Sequence, residues 1–124
     1  MVLKRYVTLL LLGLCMSSQL WSMAEKPAGL TIENITASEI TDSQIVIKFN
    51  TNLAVASQVR YGLNYDFINY QKLTSSALNL EPGTVHSIAL TGLKSKTTYR
   101  YQVLLRDPNS NEQVYSDFLT ATTL

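Results

Sequence analysis

The chain has 124 residues, 46% of them hydrophobic and 15% charged, with a formal net charge of +1. That length suits one domain, and so even a charge balance excludes the basic stripe of a nucleic-acid binder. One histidine and one cysteine in the whole sequence exclude a His- or Cys-rich metal centre and an internal disulfide framework.

The first segment, MVLKRYVTLLLLGLCMSSQLWSMA, sets Lys4 and Arg5 before an apolar run from Val7 that weakens through Leu14, Cys15 and Met16. This is the layout of an export signal, and the run is shorter than the roughly 20 residues a membrane-crossing helix needs. Ser22 and Ala24 are small residues correctly spaced for a cut before Glu25, so the expected mature chain is 25–124, secreted or periplasmic, with no integral membrane segment after cleavage. Leu14 stands where a lipid-modified Cys15 would be preceded by a small residue, which favours the soluble form. Without Lys4 and Arg5, eight basic side chains face nine acidic ones, a net charge of −1. That charge implies no strongly charged partner.

From Glu25 onward the pattern is short runs of period two with no sustained helical spacing, which reads as strands. After GLTIENITASEI, the run QIVIKFN puts Ile45, Ile47 and Phe49 on one face. SQVRYG turns Val59 and Tyr61 inward, and a short strand is expected near Ile68 to Leu73. HSIALTG contributes Ile88 and Leu90, while TYRYQVLLRD sets Tyr99, Tyr101, Val103 and Leu105 against Arg100, Gln102 and Leu104. In QVYSDFLTAT an unbroken alternation places Tyr115, Asp117 and Leu119 together on the outer face. Turn chemistry separates these runs at TDS, EPGT, TGLKSK and DPNSN. The expected fold is all-β, a two-sheet immunoglobulin-like sandwich of about seven antiparallel strands.

IKFNTNLAVASQVRYGLN and HSIALTGLKSKTTYRYQV together resemble a fibronectin type III domain over essentially all of residues 25–124. The resemblance implies that Phe49 fills the usual place of a core Trp. It also implies a tyrosine corner, in which Leu93 packs into the core six residues before Tyr99 and the Tyr99 hydroxyl bonds a nearby backbone group. Ser95 and Lys96 stand where Pro-Gly is frequent. SQVRYG with HSIALTGL and TTYRYQV is most similar to the type III-like domain that precedes the catalytic domain of purple acid phosphatases and related secreted hydrolases. The phosphatase chemistry needs a two-metal site with several His and Asp ligands, and a chain with only His86 cannot assemble one.

No other chemistry takes its place. His86 opens a strand without a neighbouring Cys, His or spaced carboxylate, so a structural role is expected. No Gly-x-Ser-x-Gly elbow supports Ser/His/Asp catalysis. DPNSNE begins like a calcium loop but has Glu112 and Phe118 where Gly and Glu are required, so it reads as a hairpin. Arg106 and Asp107 lack the glycine of an Arg-Gly-Asp motif, and the sequon NIT at Asn34 has meaning only in a eukaryotic secretory route.

The remaining signal is a surface. Period two places Arg60, Arg100, Leu104, Tyr115 and Leu119 on one outer face, an apolar centre with an arginine rim of the kind protein interfaces have. YGLNYDFINYQK adds Tyr65 and Tyr70 as an alternative glycan-stacking pair, with Phe67 or Ile68 expected in the core. The expected protein is therefore an exported, non-catalytic binding module without cofactor. Its partner is another protein or a second copy, with carbohydrate as the alternative.

Overall fold

β-branched and aromatic residues alternating with polar ones give six strands among the described residues, and all their pairings are antiparallel. The computed structural model describes residues 29–124: β1 (Ile32–Ser38), β2 (Ile45–Leu63), β3 (Ser75–Leu90), β4 (Thr98–Arg106), β5 (Gln113–Tyr115) and β6 (Leu119–Thr122). One short helix, α1 (Asn64–Tyr70), joins β2 to β3. The expected leader and Cys15 lie outside the described residues.

β2 and β3 are long because each serves both layers of the sandwich. Residues 46–51 of β2 pair with β1, and residues 45–50 also pair with the end of β3. Residues 57–63 pair instead with the start of β3 and with β4. Irregular register between Asn50 and Ser57 marks the crossing, the point at which a strand bends from one sheet to the next. Of the expected strands, QIVIKFN and SQVRYG are fused in β2, HSIALTG is the end of β3, and QVYSDFLTAT is divided between β5 and β6. The turn expected at EPGT lies within β3, since only the register slips there.

The core lies where the two layers face each other. Ile45, Ile47, Phe49 and Leu90 from the first layer meet Val59, Val103, Tyr101 and Leu105 from the second, all of them buried. Leu93 is buried beside them, and the Lys94 N–H donates to the Tyr99 hydroxyl at 2.8 Å. The corner implied by the resemblance is formed.

Three expectations are corrected. The short strand near Ile68 to Leu73 is α1 and its exit, and the edge strand begins only at Ser75. The stretch 72–74 runs close over Gly62, where an added Cβ would come within 3.3 Å of Leu73 and Thr74 backbone. Neither Phe67 nor Ile68 joins the core: Phe67 packs on Phe118 outside the sheet, and Ile68 is exposed. The third correction concerns the phase of residues 113–122. Tyr115 pairs with Leu104 on the outer face, but Leu119 pairs with buried Tyr101 and packs against the core. Between β5 and β6 the Ser116 N–H donates to the Val103 carbonyl, and the Ser116 hydroxyl accepts the Val103 N–H. This interruption moves the alternation by one residue, which exchanges the faces of everything after it.

DPNSN is the hairpin turn between β4 and β5, and it also fastens the start of the domain. Asp107 accepts the N–H groups of Asn109 at 2.8 Å and Ser110 at 3.3 Å on one carboxylate oxygen, and that of Leu30 at 3.0 Å on the other. The Asn109 N–H and then the Leu30 N–H hold its pKa below the ordinary carboxylate value, against an opposing effect of burial. A depressed carboxylate contributes stability that is fully present above the unfolded pKa and is lost as pH falls through the folded one. Asp107→Asn is therefore expected to melt at lower temperature than the parent at pH 7, with the gap closing as pH falls through the carboxylate range. A gap independent of pH in thermal melts would assign the loss to packing instead.

Candidate functional site

Strand register aligns a row of side chains across the outer face of the second layer. Leu78 on β3 lies opposite Gln58 on β2, Gln58 opposite Leu104 on β4, and Leu104 opposite Tyr115 on β5. Leu78 is 61% exposed and Tyr115 49% exposed. The next row sets Arg60 between Ser76 and Gln102. Leu78, Leu80, Leu104 and Arg106 line a shallow groove of about 200 Å³ there. An apolar row with arginines above and below it is the composition of a contact surface.

Of the five residues expected on this face, three are brought together: Arg60, Leu104 and Tyr115. Leu119 points to the core side. Arg100 faces outward but is already engaged. Its Nε donates to Asn64 Oδ1 at 2.9 Å, and its guanidinium carbon sits 4.6 Å from the centre of the Phe67 ring, a cation–π contact that docks α1 on the sheet. Leu78 and Leu80 are additions to the expected set. Their run, SSALNL, alternates correctly, but Ser, Ala and Asn give it little strand propensity, and it lies outside the runs expected as strands.

The tyrosines expected as a glycan platform are both on α1, and Tyr65 and Tyr70 are 69% and 63% exposed. Five helical positions separate them by about 140° around the axis, so the helix does not set their rings on one face.

His86 is structural in its surroundings. The imidazole is buried, stacks on Phe49 with ring centres 4.6 Å apart, and shares a 3.0 Å hydrogen bond between Nε2 and the Thr51 hydroxyl. Burial lowers its pKa, opposed by a hydrogen bond with the Gly83 backbone. Among the described residues no three His, Cys, Asp or Glu side chains are grouped to hold a metal ion, and no helix is long and apolar enough to cross a membrane.

A family model described as purple acid phosphatase, N-terminal domain, matches residues 32–123. No curated protein matches the sequence. Among solved structures, the sensor domain of the anti-sigma factor RsgI4 from Pseudobacteroides cellulosolvens is similar at 26% identity and a TM-score of 0.53, over 77% of this chain and 89% of that one. A structure described as a myokine is similar at 16% identity and a TM-score of 0.61, over 79% of this chain and 98% of that one, a likeness of fold alone.

Proposed function

We propose that this chain, which belongs to the purple acid phosphatase N-terminal domain family, is an exported contact module that binds a protein partner through the outer face of its second layer. The observation that carries this reading is the exposed row Leu78, Gln58, Leu104 and Tyr115, flanked by Arg60. Neither Leu104 nor Tyr115 belongs to the core cluster, so the sandwich does not use them to hold its layers together. The family match is to a non-catalytic domain, and a 26% identical structure is a sensor domain, a recognition role in keeping with a surface that makes contacts. Export rests on the leader sequence, with cleavage after Ala24 as its expected consequence.

The test is the pair Leu104→Lys and Tyr115→Lys in one variant, made in the native host and cross-linked gently in the exported fraction. A discrete adduct of the parent protein that the variant loses, with an unchanged melting temperature, is the expected result. An adduct kept by the folded variant rules out this face. The carbohydrate reading has the exposure of Tyr65 in its favour but lacks a shared stacking plane with Tyr70. Retention on a glycan matrix that Tyr65→Ala abolishes would restore it.

A further inference from the structure

The two leucines of the groove that lie nearest the rim of the sheet belong to an edge strand. Among the described residues β3 pairs with β2 alone, so from Ser75 to Leu80 its other side carries backbone N–H and C=O groups with no strand partner there. A strand edge recognises another strand, because only an extended backbone satisfies those groups in series. Edges that stay single are blunted by charge, proline or a bulge. Residues 75–79 have no charge, proline or register irregularity; the bulge of β3, residues 80–82 opposite Ala56, begins only after them and holds Glu81 and Pro82.

We propose that this edge of β3 pairs antiparallel with the same edge of a second copy of this chain, about a twofold axis at Asn79. A twofold contact places one segment against itself, so it must tolerate its own charges and fill its own gaps. SSALNL meets the first condition because it carries no charge, and the +1 net charge of the chain gives two copies little long-range repulsion. It meets the second through Leu78 and Leu80. With Asn79 on the axis, each Leu78 lies directly opposite Leu80 of the copy, and residues directly opposite share a face. Leu80 is 77% exposed in the single chain. In the pair, four leucines would form one apolar cluster continuous with Leu104 in each copy. The bulge at residues 80–82 confines the ladder to the residues around Asn79, so Glu81 and Pro82 lie at its ends, where a missing N–H costs least.

This contact shares Leu78 with the partner-binding row but leaves Tyr115 and Arg60 outside the paired edge. The variants that test the two proposals, at Leu80 here and at Leu104 and Tyr115 there, are different, so either can fail without the other. The test uses the full chain with Cys15→Ser, so that any introduced cysteine is the sole thiol. Sedimentation of this protein is expected to show a concentration-dependent dimer. Leu80→Lys, at a surface position, is expected to give a monomer with an unchanged melting temperature. Asn79→Cys is expected to cross-link under mild oxidation, because opposed residues of antiparallel strands lie about 4.5–5.5 Å apart between Cα atoms, within disulfide reach. Asp42→Cys, in the exposed turn before β2, is the control that stays uncross-linked. A monomer at the highest soluble concentration overturns the proposal. So does a dimer that survives Leu80→Lys or fails to cross-link at position 79, since it would be held by another surface.

Discussion

Replacing Phe49 with alanine is expected to lower the free energy of unfolding by about 3–5 kcal/mol, the range for emptying a buried aromatic site. Phe49 is the largest of the fully buried side chains, sits among Ile47, Val59 and Val103, and stacks on His86. A domain of this size has about 5–15 kcal/mol in all, so the variant is either barely folded or melts on the order of 20 °C lower. The loss should also depend on pH. Burial holds His86 below the ordinary imidazole value, so the unfolded chain takes up a proton more readily than the folded one. The parent is thus fully stabilised above the unfolded pKa and loses stability as pH falls through it. In Phe49→Ala the cavity lets water reach His86 and removes part of that acid penalty. The difference between parent and variant, measured by urea melts, should narrow from pH 8 to pH 5. A constant difference would mean that the imidazole stays dry without the ring.

The inner faces of the strands were legible because burial enforces period two. Ile45, Ile47, Phe49, Val59, Val103 and Leu105 fall where alternation puts them, and a one-residue slip at any of them would expose a whole face. Alternation fails where the ladder is interrupted. Ser116 provides both a backbone donor and a hydroxyl acceptor to Val103, and no hydrophobic period marks such a bulge. Carrying the phase across it put Leu119 outside when it packs against the core. The start of β3 was illegible for a different reason: Ser75–Leu80 is held by its pairing with β2 rather than by strand-forming side chains.

The outer face was only half readable. Leu104 and Tyr115 follow from strand parity, and register confirms that they are neighbours. Arg100 shows what parity omits. Its outward direction was correct, but α1 folds back over it, and the Asn64 and Phe67 contacts are tertiary facts that a run of seven residues does not announce. Local pattern thus identifies which side chains leave the sheet, while the connections decide which of them remain free.

Tyr99→Phe isolates the one hydrogen bond that the family resemblance specified. The ring stays buried and the change removes only the hydroxyl that accepts the Lys94 N–H. That donor then remains part-buried without its partner, and the expected cost is about 1–3 kcal/mol. The surrounding corner magnifies the effect locally. Lys96 holds φ at 50°, a left-handed conformation that a non-glycine residue adopts only when its neighbours enforce it. The enforcing contacts are few: the Lys96 N–H donates to the Leu124 carbonyl, and the Thr123 hydroxyl bridges the Lys94 carbonyl and the Thr97 N–H. With the tyrosine anchor gone, the segment relies on the end of the chain alone. Limited trypsin digestion should then cut faster after Lys94 or Lys96 in Tyr99→Phe, while Arg60 and Lys48 on the paired strands are cut at the parent rate. Cleavage at the parent rate at all four sites, with an unchanged melting temperature, would show that the Thr123 and Leu124 contacts hold the corner by themselves.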